Sequence, residues 1–364
     1  MRGSRTARRG WVLASVVLAL AAALVLAFLW RQARQDQPEF PPPGPAIVDG
    51  VFAEDRLWLR LENGSLVSLR PDAARAEREV LPGKALGLCR AGGSPVVLVQ
   101  ASGQGAWLLQ ARASGKWGPG RSLAVGKENL IAFGCGMDGA FVVTNRRLLT
   151  IEGDTVRETA LSRELEAPIV STTMFADAAA LWVGFNNGEW GGGLTRIRRA
   201  DGKVESLESN RSGTLCGGPL NAGCDAVNAI AASPRDRGCI VAAIGLVHMM
   251  SHGRIVELCG NRIRRLYYKA EDPQPPYPDK NADEPGNTVA FFGAAQVRGD
   301  LWAVGTDGLY RFPGSGGVAF RSLPRFEDRG GYRVSFAVPG VVLVLTDVNG
   351  KASLSGAVPL LVVR

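Results

Sequence analysis

Short apolar runs separated by turn residues follow one another from about residue 46 to the end of the chain. The runs are rich in Val, Leu, Ile, Phe and Trp, and the residues between them are mostly Gly, Asn, Asp, Ser and Pro, a pattern typical of β-strands joined by turns. Two segments, 181–197 and 301–312, repeat one order of strand, glycine turn and second strand. A single hairpin cannot bury its own apolar faces, so the repetition predicts an all-β fold of similar neighbouring units.

Seven strand-like runs can be aligned as equivalent positions of this repeat: 56–60, 96–100, 140–144, 181–185, 239–244, 301–305 and 341–346. Each run follows another apolar run and precedes a turn and a third run. Asn63-Gly64 is one of these turns, and Asn-Gly is a strong hairpin signal. Most runs start about 40 residues apart, with longer gaps on either side of 239. A period of about 40–50 residues with four strands per unit predicts a β-propeller of seven four-stranded blades spanning 46–364.

The N-terminal segment differs from the rest of the chain. Residues 1–10 carry four arginines, and an uncharged run of 20 residues extends from Trp11 to Trp30. That length can span a bilayer as a helix, and tryptophan is favoured at both membrane interfaces. We therefore predict a cytoplasmic basic tail at 1–10 and a transmembrane signal anchor at 11–30. The arginine excess places the propeller in the periplasm or outside the cell, as a single-pass protein of the inner membrane.

A cleaved signal peptide is the alternative to the anchor, with Ala21-Ala22-Ala23 as the small-residue cleavage site. Both interpretations export the rest of the chain. The segment 31–45 is proline-rich and is predicted to be a stiff linker between the membrane and the propeller.

The N-terminal segment also accounts for most of the net charge of +8. Residues 1–35 contain six arginines and no acidic residue, so the remainder has 36 basic and 34 acidic residues. A nucleic-acid-binding protein concentrates its basic residues in a patch or stripe, and the remaining sequence has none. Nucleic acid is therefore not an expected partner.

The two repeated segments point to a family. They read Leu-Trp-Val-Gly at 181–184 with Gly-Gly-Leu-Thr-Arg-Ile at 192–197, and Leu-Trp-Ala-Val-Gly-Thr-Asp-Gly-Leu-Tyr-Arg-Phe at 301–312. These sequences resemble the blade repeat of two-component regulator propellers, the periplasmic sensor domains of bacterial hybrid kinases. The resemblance implies a ligand-binding sensor propeller. No kinase sequence follows, so a stand-alone propeller is expected.

Six cysteines in an exported chain predict disulfides. The first predicted pair would close a glycine-rich loop, and the second would face across a hairpin centred on Met249. The third would join the first strands of consecutive units. The alternative for the third is two buried thiols, since cysteine often packs as a small hydrophobic residue. In that order, the pairs are Cys216–Cys224, Cys239–Cys259 and Cys89–Cys135.

The loop 186–193 is the first candidate binding site. It offers two amides, a carboxylate and an indole face in Asn186, Asn187, Glu189 and Trp190, among glycines that let a ligand approach the backbone. The alternative is a long hairpin turn whose glycines adopt positive φ and whose tryptophan packs on the next blade.

The segment 261–287 is the second candidate. Tyr267, Tyr268 and Tyr277 lie there among prolines and charged residues. Long insertions on a rigid scaffold often carry recognition, so these tyrosines are predicted to bind a partner. The alternative is a decorated connection between two blades.

Catalytic and metal-binding motifs are sparse. The two histidines lie in His248-Met-Met-Ser-His252, which could contribute copper ligands, but a closed metal site needs more ligands. No nucleophile elbow, phosphate loop or Cys-x-x-Cys knuckle is present. We therefore expect no metal or cofactor and a non-enzymatic sensor or scaffold that binds an envelope protein or a small molecule. The alternative is a propeller hydrolase, lactonase or lyase with a residue cluster in the central channel.

Overall fold

The computed structural model describes residues 45, 47–73, 75–101, 106–209, 217–248, 250–271, 286–323, 333–345 and 360–363. These residues form β-strands and one short 3-10 helix, Gly188–Trp190. None of their helices is long and apolar enough to cross a membrane. The predicted tail, the predicted anchor and all of the predicted linker except Pro45 lie outside the described residues.

The strands form seven antiparallel sheets within these ranges. Sheet 1 consists of β1 (Ile47–Ala53), β2 (Arg56–Leu61), β3 (Leu66–Leu69) and β4 (Glu77–Arg78). Sheet 2 consists of β5 (Gly83–Ala91), β6 (Ser94–Ala101), β7 (Trp107–Ala113), β8 (Lys116–Trp117) and β9 (Arg121–Leu123). Sheet 3 consists of β10 (Leu130–Gly136), β11 (Gly139–Thr144), β12 (Arg147–Glu152) and β13 (Thr155–Ala160).

The remaining sheets follow the same order. Sheet 4 consists of β14 (Ser171–Ala176), β15 (Ala180–Asn186), β16 (Leu194–Arg198) and β17 (Val204–Leu207). Sheet 5 consists of β18 (Val227–Ala232), β19 (Cys239–His248), β20 (Met250–Cys259) and β21 (Arg262–Tyr267). Sheet 6 consists of β22 (Phe291–Val297), β23 (Asp300–Gly305), β24 (Gly308–Phe312) and β25 (Ala319–Ser322). Sheet 7 consists of β26 (Arg333–Ser335), β27 (Val341–Leu345) and β28 (Leu360–Val363).

The first strands of the sheets form a ring. In chain order, β1, β5, β10, β14, β18, β22 and β26 each pack against the next, and β26 also packs against β1. Ser335 in β26 donates its hydroxyl to the carbonyl oxygen of Gly50 in β1, at 3.5 Å. Sheets arranged radially around such a ring make a β-propeller, as the sequence predicts.

The number of complete blades differs from the prediction. Six sheets have at least four strands, whereas sheet 7 has three. The described residues thus contain six complete blades, and the expected seven four-stranded blades are not all present. Residues 324–332, which precede sheet 7, lie outside the described residues, as do residues 346–359 between β27 and β28. All seven aligned runs nevertheless fall in the second strand of a sheet, except for residue 346, which lies outside the described residues.

The hydrophobic core lies between neighbouring sheets. Phe141 and Val143 of sheet 3 pack with Leu181 and Val183 of sheet 4, and all four are fully buried. Second strands are covered on both faces, which is why they are nearly continuous apolar runs and not alternating ones. Nearer the ring axis the sheets come closer together. A Cβ atom on Gly87 would lie 2.5 Å from the Phe133 ring, so only glycine fits at that position.

The repeated Leu-Trp segments have a structural explanation. Trp182 lies directly opposite Arg196 on the neighbouring strand, and Trp302 lies opposite Arg311. The guanidinium carbons lie 5.6 and 5.7 Å from the indole centroids. The repeat therefore encodes a cross-strand cation–π pair on two blades.

Two of the predicted disulfides are confirmed. Cys89 and Cys135 link β5 to β10, across the boundary between sheets 2 and 3, with their Cα atoms 5.6 Å apart. Cys239 and Cys259 face each other in β19 and β20, with Cα atoms 4.5 Å apart. Cys224 is also disulfide-bonded, and its predicted partner Cys216 lies outside the described residues.

Candidate functional site

The longest connections lie on one face of the propeller. Chain direction reverses with each antiparallel strand, so loops between second and third strands leave at the same end as connections between sheets. We call this end the loop face. Four long connections join strand ends at this face around sheets 4, 5 and 6: 161–170, 187–193, 208–226 and 268–290. Of these, 210–216 and 272–285 lie outside the described residues. Loops on a rigid scaffold commonly carry binding residues, which makes this face the candidate site.

Two asparagines hold the loop 187–193 in place. The Oδ1 atom of Asn187 accepts a 3.0 Å hydrogen bond from the Ile169 N–H. The backbone N–H of Asn187 donates to the Gly191 carbonyl oxygen at 2.8 Å. Asn186 Oδ1 accepts a bond from the Gly188 N–H, at 2.8 Å. These side-chain oxygens fix the loop and its neighbour 161–170.

Asn186 also ties the loop to the inner ring. Its Nδ2 donates to Asn228 Oδ1 at 2.7 Å. The Asn228 Nδ2 in turn donates to the carbonyl oxygens of Gly245 and Phe291, at 2.7 and 2.9 Å. Asn228 therefore joins sheets 4, 5 and 6. The sequence signal for it is a single amide within the otherwise apolar run Val-Asn-Ala-Ile-Ala-Ala of β18, and sequence reasoning missed it.

The segment 217–225 supports the other side of the loop. The N–H groups of Gly192 and Gly193 donate to the carbonyl oxygens of Ala222 and Asp225, at 2.9 and 2.8 Å. A Cβ atom on Gly191 would lie 2.4 Å from the backbone carbon of Gly223, and Gly191 has a φ of +76°. Both the close approach and the left-handed backbone require glycine there.

A buried ion pair holds this supporting segment on sheet 5. Arg254 Nη2 donates to Asp225 Oδ2 at 2.6 Å, and both side chains are almost fully buried. Arg254 also donates through Nη1 to His252 Nε2, at 3.0 Å. Burial, with a smaller contribution from the Arg254 charge, lowers the pKa of His252 to about 4. His252 is therefore neutral at neutral pH and can accept that hydrogen bond.

Exposed apolar side chains lie on the two hydrogen-bonded loops 161–170 and 187–193. Ile169, Val170 and Trp190 are 66%, 56% and 68% exposed, and we call them the apolar patch. Trp190 N–H donates to the Asn187 carbonyl oxygen, and Val170 N–H donates to that of Asn186, so both loops are anchored on the same pair of asparagines. Glu189 Oε2 lies 3.1 Å from His248 Nε2, and both side chains are about half exposed.

The predicted site residues thus have two kinds of role. The side chains of Glu189 and Trp190 are exposed to solvent. The amides of Asn186 and Asn187 are engaged in bonds within the protein, which makes them positioning residues. Their function in binding stays a prediction.

Part of the predicted tyrosine-rich segment is a β-strand. Its beginning is β21, the outer strand of sheet 5. Tyr267 packs between sheets, with its ring centroid 5.5 Å from that of Tyr310 and 5.2 Å from that of Phe312, and burial raises its pKa. Tyr268 is 36% exposed and lies under the Arg265 guanidinium, at 4.5 Å. Tyr277 lies outside the described residues.

The histidines do not converge on a common centre. His248 faces Glu189, whereas His252 faces Arg254. Among the described residues, Asp236, Cys239 and Cys259 form the group whose ligand atoms are close enough to hold a metal. Two of these three already share a disulfide, so their thiolates are not available as ligands.

No protein-family model and no curated protein matches the chain. The resemblance to two-component regulator propellers therefore stays a prediction.

Solved structures are similar in fold. The extracellular domain of a protein described as a one-component system, BT4673 from B. thetaiotaomicron, has a TM-score of 0.51 at 12% identity over 88% of this chain. This chain spans 39% of that structure. YCF48 bound to D1 peptide has a TM-score of 0.53 at 12% identity, covering 88% of this chain and 92% of that one.

An enzyme shares the fold as well. The dihydro-heme d1 dehydrogenase NirN, in complex with DHE, has a TM-score of 0.51 at 14% identity, covering 88% of this chain and 67% of that one. At such low identities the similarity extends to the β-propeller fold and no further.

Proposed function

We propose that this protein is a non-enzymatic binding module, anchored in the inner membrane, whose loop face binds an envelope protein or a small-molecule ligand as a sensor or scaffold. The observation that carries this proposal is Trp190, a large aromatic side chain that is 68% exposed on a loop held by several hydrogen bonds. Exposed tryptophans are common anchors of binding surfaces, and a rigid loop loses little entropy on binding.

The composition of the inner ring supports a non-enzymatic role. A propeller enzyme would draw acid, base or metal ligands from several first strands into the channel. The described first strands carry one carboxylate, Asp49, and no histidine. Asp49 is paired with Arg60 at 3.0 Å.

Because YCF48 has this fold and binds D1 peptide, the proposal includes a peptide as one class of ligand. Because the two chains are only 12% identical, the argument for this protein rests on its own loop face.

The seventh blade belongs to the same proposal. We infer that sheet 7 is this blade, because β26 packs between β22 and β1 and so fills the ring.

The disulfides support export, since such bonds persist in oxidising compartments. A periplasm-active reporter fused after residue 364 should be active, and an inactive reporter would contradict the predicted topology.

Photo-crosslinking tests the binding role in cells that contain the full chain. Trp190 is replaced by p-benzoylphenylalanine, and Met137 is replaced in a control variant. Met137 is fully exposed in the turn between β10 and β11, on the opposite face. We expect a specific adduct from position 190 and none from position 137. No adduct at 190, or equal adducts at both positions, would contradict binding at the loop face.

A further inference from the structure

The apolar patch concentrates exposed hydrophobic side chains on two adjoining loops. Of the eight large hydrophobic residues that are exposed in the described part of the chain, three are Ile169, Val170 and Trp190. Val170 lies beside the loop 187–193, since a Cβ atom built on Gly188 would be 3.7 Å from the Cγ2 atom of Val170. Contiguous exposed apolar side chains are typical of interaction surfaces, whereas isolated ones are normal on any protein.

Two exposed acidic residues are close to this patch in the sequence. Glu189 precedes Trp190 directly, and the exposed Glu166 lies three residues before Ile169. No described lysine or arginine forms an ion pair with either carboxylate, and the partner of Glu189 is His248. The arginine of the loop 161–170, Arg163, donates to Ser206. The patch therefore lies beside carboxylates that no described lysine or arginine pairs with.

We infer that the loop face binds a protein segment that presents an aliphatic or aromatic side chain next to a lysine or arginine. This inference rests on the proposed binding function and specifies the partner. The apolar side chain covers Ile169 and Val170. The cation pairs with Glu166 or Glu189 and lies over the Trp190 ring, since an exposed indole face attracts cations.

The openness of the patch favours a protein segment over a small molecule. Small ligands are usually enclosed in concave pockets that cover most of their surface. All three side chains of the patch are more than half exposed, so the surface is open. An extended segment can cover such a surface by contacting both loops at once.

The test measures binding of two fluorescein-labelled peptide pools to the full chain in lipid nanodiscs. Both pools have fixed leucines among randomised small polar residues. One also has fixed lysines, and the other has glutamates at the same positions. We expect the lysine pool to bind at least about tenfold more tightly, with an advantage that shrinks as salt screens the charges.

Variants connect this preference to the patch. Trp190→Ala should abolish binding of the lysine pool, with Met137→Ala as its control. The double variant Glu166→Gln and Glu189→Gln should remove the preference for lysine while weak apolar binding persists. Asp72→Asn, which removes an exposed carboxylate in the turn after β3, should change nothing. All these side chains are exposed, and unchanged thermal unfolding will confirm that the variants fold.

The other outcomes separate this inference from the proposed function. Equal binding of both pools, or tighter binding of the glutamate pool, would overturn the inference alone. If neither pool binds but the crosslinker at position 190 captures a small molecule, a glycan or a lipid, the inference is wrong and the binding function stands. If neither pool binds and the crosslinker captures nothing, both are wrong.

Discussion

Arg254 and Asp225 form an ion pair at 2.6 Å, with side-chain exposures of 1% and 0%. The pair connects β20 of sheet 5 to the segment that supports the loop 187–193. Arg254 also donates to the carbonyl oxygens of Pro219 and Gly218, at 2.8 and 3.2 Å. The guanidinium thus holds the 217–225 segment at several points.

Removing one partner of this pair should strongly destabilise the protein. Asp225→Ala removes the buried carboxylate that pairs with Arg254, which should lower the free energy of unfolding by about 3–5 kcal/mol. Asp300→Ala is the matched control, because Asp300 pairs with a half-exposed Arg311 at 2.6 Å, and it should cost less than about 1 kcal/mol. Urea unfolding followed by tryptophan fluorescence measures both. Equal losses would contradict a special role for the buried pair.

Protonation of His252 should make the protein less stable in mild acid. The pKa of His252 is lowered from 6.5 to about 4, mainly by burial and then by the Arg254 charge. The unfolded chain therefore takes up a proton at a higher pH than the folded one. The contribution of neutral His252 is complete above pH 6.5 and is lost as the pH falls towards 4. The loss should amount to about 1–3 kcal/mol.

Variants isolate this effect from other titrating groups. His252→Gln keeps a hydrogen-bond acceptor for Arg254 but does not titrate, so the stability should fall less steeply between pH 6.5 and 5. His248→Gln replaces the other histidine, which is about half exposed, and is the comparison variant; the slope should change more in His252→Gln. Urea midpoints at several pH values measure the slope. An unchanged slope in His252→Gln would show that another group dominates.

Most of the fold could be predicted because a blade leaves a local signal in the sequence. The second strands are buried on both faces, and this produces the apolar runs that align the repeat. The outer strands leave little signal. β4 consists of the exposed Glu77–Arg78 alone, because the edge of a blade faces solvent and does not select for hydrophobic residues.

The candidate site was predicted only in part. The unusual composition of 186–193 indicates Glu189 and Trp190 as candidate binding residues, and their role stays a prediction. The positioning roles of the two asparagines depend on partners in other segments. Asn228 is 42 residues from Asn186, and contacts at that separation have no local pattern. Tyr267 and Tyr268 illustrate a second limit of prediction from sequence, which is the face of the sheet that each side chain occupies. Neighbouring side chains on a strand point to opposite faces, and recognising β21 was necessary to assign Tyr267 to the interior.

Trp182 and Arg196 should contribute very unequally to stability. Trp182 is 6% exposed in the core between sheets 4 and 5, so Trp182→Ala should cost about 3–5 kcal/mol through lost burial and a cavity. Arg196→Met keeps the aliphatic contact with the ring and removes the charge, so it should cost about 1 kcal/mol. Urea unfolding measures both values. Equal costs would mean that the cation, and not burial of the indole, explains the tryptophan in the repeat.

The disulfide between sheets should stabilise the propeller more than the one within a hairpin. Cys89 and Cys135 are 46 residues apart, whereas Cys239 and Cys259 are 20 apart and already face each other in a paired hairpin. The longer loop loses more unfolded-state entropy when it is closed. The Cys89→Ala/Cys135→Ala double variant should therefore lose about 4 kcal/mol, and the Cys239→Ala/Cys259→Ala variant about 3 kcal/mol or less. Urea unfolding without reductant gives both values, and mass spectrometry of the wild type under non-reducing conditions should find both pairs joined. The reverse order of the two losses would mean that strain or residual structure, and not loop length, governs their contributions.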